Sequence, residues 1–214
     1  MALIINEIFY SIQGESIHSG RPCIFVRLAG CNLRCSYCDT SYAYEEGVKM
    51  EIGEILEQIS AYQCRLVEIT GGEPLLQPNT PMLIQKLLED GYEVLMETNG
   101  SFDISRVDRR CMIILDIKCP SSGENDKNDL KNLNRLSLND QVKFVIGSRQ
   151  DYKYAREIIT SIPAEFPLDR VLLSPVSGKM PPALLARWIL KDKLAVRLHL
   201  QLHKIIWPEA SRGV

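Results

Sequence analysis

The stretch Cys31-Asn-Leu-Arg-Cys35-Ser-Tyr-Cys38-Asp-Thr40 decides how this chain is read. Its C-x3-C-x2-C spacing lets one tight loop turn three sulfurs toward a single point, where soft thiolates favour iron–sulfur clusters or zinc over hard cations. A closed structural site takes four protein ligands, whereas a reactive site keeps one position open for water, substrate or cofactor. Spacing alone leaves cluster and zinc open, because C-x2-C serves both and Cys23, His18 or Cys64 is available as a fourth ligand.

One βα unit downstream, the apolar run Leu66-Val-Glu-Ile69 ends in Thr70-Gly-Gly-Glu73-Pro74. Paired glycines at a strand end accept positive φ and let backbone approach a ligand with no Cβ in the way. Period-2 and run patterns predict further strands over Leu3–Tyr10, Pro22–Gly30, Leu66–Thr70, Tyr92–Glu97, Met112–Ile117, Gln141–Ile146, Arg170–Ser174 and Ala195–His203. Helical spacing predicts helices over Glu51–Tyr62, from Thr80 until Gly91 stops it, over Arg149–Ile162 and over Pro182–Lys191. Ser11–Arg21 reads as a loop free to cover something, and the Asn-rich Asn125–Leu136 as a loop with one helical turn.

Strands alternating with helices imply a parallel sheet. The chain is short of the ~250 residues of a full (β/α) barrel. The expectation is an α/β fold: an incomplete TIM-type barrel of about six core parallel strands, forming one domain over 1–214. Its parts are an N-terminal covering segment (1–21), the Cys loop (31–40), and a C-terminal strand and tail (195–214). In such barrels chemistry sits at the C-terminal ends of strands. The Cys loop, Thr70–Glu73, Glu97–Asn99, Lys118 and Ser174–Val176 each follow an expected strand.

Composition narrows the classes. A length of 214 residues suits one domain, and 45% hydrophobic with 24% charged residues is an ordinary globular balance able to bury a core. A net charge of −2 argues against a surface that wraps nucleic acid. No apolar run reaches the ~18 residues of a membrane span, and no Lys/Arg-led leader precedes an apolar core. Seven cysteines, an odd number, fit a reducing cytoplasm better than a disulfide framework.

The Cys loop with Tyr37 before its last cysteine, followed by the Gly-Gly-Glu-Pro strand end, resembles the radical S-adenosylmethionine (SAM) enzymes. Glu7-Ile-Phe-Tyr-Ser-Ile-Gln-Gly-Glu15-Ser, Cys38-Asp-Thr40, Glu97-Thr-Asn-Gly100 and Leu200-Gln-Leu-His-Lys-Ile-Ile-Trp207 narrow the resemblance, nearly end to end, to the 7-carboxy-7-deazaguanine synthase family.

That resemblance implies a lyase of queuosine and 7-deazapurine biosynthesis acting on 6-carboxy-5,6,7,8-tetrahydropterin, with a 4Fe–4S cluster, SAM and Mg²⁺ as cofactors. It implies cluster ligation by Cys31, Cys35 and Cys38, leaving one iron for SAM. SAM contacts fall to Tyr37, Cys38, Asp39, Gly72, Asp116, Ile117, Lys118, Ser174, Pro175 and Val176. Ile12, Gln13, Gly14, Glu15, Arg27 and Thr70 would hold the substrate, with Arg27 as a bidentate clamp on its carboxylate. Thr40 would meet Mg²⁺, and Glu97 is the candidate for substrate contact or proton transfer. A flavodoxin- or ferredoxin-like electron donor, a homodimer and a cytoplasmic location are further implications; no nucleic-acid or membrane partner is expected. Two other readings stand beside this one: another radical SAM enzyme, such as a glycyl-radical activase, or a zinc-binding or redox-sensing module. His199 and His203 line the pocket or face solvent, and Cys23, Cys64, Cys111 and Cys119 read as structural.

Overall fold

Along the central strands nearly every residue is buried, as expected where a parallel sheet is covered on both sides; the face under the helices is apolar throughout and the inner face is apolar only at its base. The computed structural model describes residues 1–209 and 212–214. Among them β1 (Ala2–Ile12), β2 (Pro22–Leu28), β3 (Val48–Glu51), β4 (Leu66–Gly71), β5 (Glu93–Thr98), β6 (Met112–Ile117), β7 (Gln141–Ile146), β8 (Val171–Pro175) and β9 (Arg197–Leu198) form one sheet. Its order is β3-β1-β2-β4-β5-β6-β7-β8-β9. From β2 to β9 every neighbouring pair is parallel, whereas β1 runs antiparallel to both β2 and β3. The six expected core strands are therefore β2 and β4–β8, with additions at both edges. The edge strand β3 escapes sequence reading because Val48-Lys-Met-Glu51 is mostly exposed and shows no buried face.

The helices are α1 (Ile52–Ser60), α2 (Thr80–Glu89), α3 (Arg149–Ile159), α4 (Pro182–Lys191) and α5 (Leu202–Ile206). α1 starts on a capping box in which the side chains of Glu51 and Glu54 satisfy each other's backbone N–H groups. Between β5 and β6, and between β6 and β7, 3₁₀ turns replace a crossover helix. Buried Asn132 staples this region: its Nδ2 donates to the carbonyls of Gly100 and Phe102 at 3.0 and 2.8 Å, and its Oδ1 accepts from Ile104 N at 3.2 Å.

Alternation sorts the side chains into two layers. Ile24, Val26, Val67, Ile69, Val142 and Phe144 join the large core beneath the helices, while Cys23, Phe25, Leu66, Leu95 and Ile114 form a small inner plug. On the same inward faces as the plug residues, nearer the C-terminal strand ends, come Glu68, Glu97, Asp116, Lys143 and Ser174. A dry plug under a polar layer gives the barrel a floor.

The expected last strand, Ala195–His203, is corrected. Only Arg197–Leu198 pairs with β8; after His199 N donates to Leu173 O at 3.0 Å the chain leaves the sheet and enters α5. Leu200, which a continuing strand would bury, is 39% exposed. The chain turns because Leu202 N donates to Gly14 O at 2.8 Å, which draws the C-terminal segment onto residues 13–16 and covers the open side of the barrel.

Candidate active site

At the C-terminal strand ends a cavity of about 580 Å³ opens, and Cys31, Cys35 and Cys38 all line it. The loop holding them is tied on several sides. Cys38 N donates to Cys35 O at 3.1 Å, Ser36 N to Ser122 O at 2.9 Å, Arg34 N to Glu124 Oε1 at 2.8 Å, and Glu73 N to Gly30 O at 2.8 Å. Gly72 makes this closeness possible, since a Cβ there would run into the carbonyl of Gly30 and the side chain of Cys31. Its neighbour Gly71, at φ +137°, would drive a Cβ into the backbone of Leu28. Glu73 points away from the cavity, accepting from Leu75 N at 2.9 Å, Thr98 Oγ1 at 2.8 Å and Asn99 N at 2.7 Å, and so locks the strand-end turn to β5.

All three loop cysteines are free, as are the other four. Burial pushes the Cys31 thiol up and Cys35 to about 11, so neither is a thiolate near neutrality without a metal to hold it deprotonated. Among the described residues no three His, Cys, Asp or Glu side chains converge to hold a single metal ion. A cluster spreads its ligands over several irons, one thiolate to each, and so needs no such convergence. Two more groups lack partners: the buried Tyr37 hydroxyl and Asp116 Oδ1 have no hydrogen bond, and both residues line the cavity. A donor and an acceptor left open beside three thiols fit a polar organic ligand next to a cluster.

The deeper cavity holds an ionic network. Lys143 of β7 is 5% exposed and pairs with Glu15, with Glu97 at 2.5 Å and, more distantly, with Asp116 at 3.7 Å. Asp116 also pairs with Lys118 at 2.9 Å. Burial opposes the charge on Lys143, but Glu15, Glu97 and Asp116 outweigh it and hold the ammonium well above its ordinary value. Burial would likewise raise Glu15, yet Lys143, His199 and Gln201 keep it well below the usual carboxylate range. Glu97 is pushed up by burial, with Lys143 pulling back. Glu68, buried and hydrogen-bonded to the Gln13 amide, is raised to about 8 by burial and then by Glu97, so it holds its proton at neutrality.

Most residues singled out from sequence meet here. Ile12, Gln13, Gly14, Glu15, Arg27, Thr70, Glu97, Tyr37, Asp39, Thr40, Gly72, Asp116, Lys118 and Val176 line the cavity. Ile117 packs in the outer core, Pro175 is buried at the end of β8, and Ser174 Oγ lies 2.7 Å from His199 Nδ1; none of the three is among the lining residues. Arg27 Nε donates to Glu7 Oε1 at 2.7 Å, and the same oxygen accepts from Tyr42 Oη at 3.0 Å, which fixes the guanidinium at the cavity wall. His203 lines the cavity against Gly14, whereas His199 is buried beside Ser174 and burial lowers it to about 4.

Sequence reading missed Glu68, Lys143, Gln201 and the residues of the C-terminal segment that wall the cavity, among them Lys204, Trp207 and Arg212. A signal existed for two of them. Alternation alone puts Glu68 and Lys143 on the inward face of their strands, where an unpaired charge is costly.

Comparison with known proteins agrees with this geometry. The model of the radical SAM superfamily matches residues 26–171. The chain is 47% identical to the 7-carboxy-7-deazaguanine synthase of Chlorobaculum tepidum over 99% of its length and 97% of the relative's. It is 42% identical to the enzyme of that name from Koribacter versatilis, over 98% and 99% of the two chains. The crystal structure of QueE from Escherichia coli superposes with a TM-score of 0.81 at 24% identity over 95% of each chain, which supports the shared fold. The chain therefore belongs to the radical SAM superfamily and, within it, to the 7-carboxy-7-deazaguanine synthase family.

Proposed function

We propose that this protein forms 7-carboxy-7-deazaguanine, the product its relatives are named for, from 6-carboxy-5,6,7,8-tetrahydropterin with release of ammonia, as the sequence resemblance implies. The observation that carries the reading is that the three free cysteines of the C-x3-C-x2-C loop open onto the same cavity as Gln13, Glu15, Arg27 and Glu97. Held by Cys31, Cys35 and Cys38, a reduced 4Fe–4S cluster with SAM beside it would supply radical chemistry able to take a hydrogen atom from the substrate.

Cys31, Cys35 and Cys38 would each hold one iron, with the Leu33 N–H, 3.4 Å from Cys31 Sγ, donating to a ligand sulfur. Of the SAM contacts that the resemblance implies, Tyr37, Cys38, Asp39, Gly72, Asp116, Lys118 and Val176 would form the surface, with support at Tyr37 and Asp116, whose polar atoms have no partner, while Ile117, Ser174 and Pro175 lie behind the cavity wall. Ile12 and Gly14 would wall the heterocycle, and Thr70 would add a hydroxyl. Gln13 and Glu15 would read its N–H edge, with Gln13 held in place because Glu15 N donates to its Oε1 at 2.9 Å. Arg27, anchored on Glu7 through Nε alone, keeps the rest of its donor fork for the substrate carboxylate. Glu97 would hold or move a proton at its carboxylate oxygens. Thr40, beside Asp39, would supply a hydroxyl oxygen to Mg²⁺, a cation that favours oxygen ligands and keeps several waters. A flavodoxin- or ferredoxin-like protein would deliver the electron, and a homodimer would be the working form.

The test is anaerobic incubation of the reconstituted protein with the carboxypterin, SAM, reductant and Mg²⁺. The expected result is 7-carboxy-7-deazaguanine and ammonia in equal amounts. Intact substrate after prolonged incubation of protein that has taken up iron would overturn the assignment.

A further inference from the structure

Lys143 sits where no sequence motif points. Its ammonium bridges two carboxylates from distant parts of the chain, Glu15 of the segment after β1 and Glu97 at the end of β5. Both carboxylates line the cavity, and Gln201 Nε2 adds a 2.8 Å hydrogen bond to Glu15. The other charged groups facing this trio are Glu68 from β4, Asp116 and Lys118 from β6, His199 and His203 from the C-terminal segment, and Asp39 of the Cys loop, which is paired with Lys204. Lys118 is already committed to Asp116, 2.9 Å away, and the two histidines are driven neutral by burial. Lys143 is therefore the cation in direct contact with both substrate-facing carboxylates.

We propose that Lys143 is a positioning residue: it keeps the Glu15–Glu97 pair charged and aimed into the cavity, so that both carboxylates can accept the N–H donors of a flat, donor-rich heterocycle. This rests on the function proposed above. The physical basis is that two carboxylates in a buried pocket repel each other and one takes up a proton, unless a cation between them lowers the cost of the second charge. A carboxyl that holds a proton is a donor on one oxygen, and it clashes with an N–H where a carboxylate accepts. Lys143 reaches the cavity wall, but its ammonium is taken up by Glu15 and Glu97, and through them it acts on substrate readout.

The test is anaerobic titration calorimetry of the reconstituted holoenzyme with 6-carboxy-5,6,7,8-tetrahydropterin, run in two buffers of different ionisation enthalpy so that proton release on binding is counted. Lys143→Gln keeps donors but drops the charge; Lys143→Arg keeps the charge. Lys143→Gln is expected to release about one proton more than wild type on binding and to bind at least about ten-fold more weakly. Lys143→Arg is expected to return the proton count to the wild-type value. Should Lys143→Gln fail to fold, Lys143→Met, of similar length and neutral, takes its place with the same expectations. A neutral variant with wild-type proton count and affinity overturns the proposal, as does an arginine variant that behaves like the glutamine one. Wild-type turnover in the same preparation separates the two readings. Its absence counts against the function itself, while its presence with an unchanged proton count counts against Lys143 alone.

Discussion

The backbone N–H of Leu202 donates to the carbonyl of Gly14 at 2.8 Å, joining the C-terminal segment to the loop that follows the first strand. Around that bond His203 packs on the glycine so closely that a Cβ at position 14 would enter its ring, and Gln201 reaches Glu15. A barrel too short to close with strands is covered on its open side by two irregular segments, and both contribute to the cavity wall.

Gly14→Ala should act on the site more than on the fold. The added methyl must displace His203, and overpacking of this kind costs about 1–3 kcal/mol. The expected result is a fall of about ten-fold or more in kcat/KM, since a small displacement in a site is costly to catalysis. Thermal unfolding should fall by about 2–12 °C and stay cooperative, because each kcal/mol of that cost moves the midpoint of a chain this size by about 2–4 °C. Steady-state kinetics and calorimetry on the same variant check both halves.

The seven cysteines should divide into two classes. Replacing Cys31, Cys35 or Cys38 by Ala removes a thiolate lining the cavity, and each variant is expected to lose iron and activity together. Cys64→Ser, at a half-buried position whose thiol donates weakly to backbone carbonyls, should keep its iron and activity. Iron content after anaerobic reconstitution is the measurement.

Glu73→Ala should be a stability variant. The carboxylate serves two backbone N–H groups and the Thr98 hydroxyl in a fully buried place, and its loss leaves them unpartnered. The expected cost is about 2–5 kcal/mol in denaturant unfolding, with Glu73→Gln closer to wild type.

Two buried groups set opposite pH limits on stability. Glu68 is raised from the ordinary 4.5 to about 8, so its contribution is full below 4.5, declines as pH rises, and is gone above about 8. Glu68→Gln should therefore gain on wild type between pH 6 and 8, by up to about 1.4 kcal/mol per pH unit. His199 is lowered from 6.5 to about 4, so its contribution is present above 6.5 and is lost as pH falls toward about 4. His199→Asn should flatten that acid limb. Denaturant unfolding of both variants across pH 4 to 9, an interval of about five units chosen to span both transitions, checks the signs.

Much of this was legible in the chain. The glycines at 71 and 72 announced a close backbone approach, and Gly72 is indeed wedged against Gly30 and Cys31. Along the expected Pro22–Gly30 strand, Cys23 and Phe25 alternate with Ile24 and Val26, and the two sets do part into the two layers on either side of β2. Local periodicity failed at Ala195–His203, where leucines alternate with polar residues although Gln201 and His203 of the polar side meet a cavity and Leu200 meets solvent. It puts Lys143 and Glu68 on inward strand faces but names no partner for either. Each reads locally as one polar residue in an apolar strand, and only the tertiary fold shows which carboxylate or amide it meets.

The claim on which the rest depends is that three cysteines hold a cluster with one iron left free for SAM. Electron paramagnetic resonance of the reduced, anaerobically reconstituted protein, recorded before and after SAM is added, tests it most directly. A 4Fe–4S signal whose spectrum shifts on addition of SAM is the predicted result. A signal that SAM leaves unchanged, or protein that binds zinc and no iron, would contradict it.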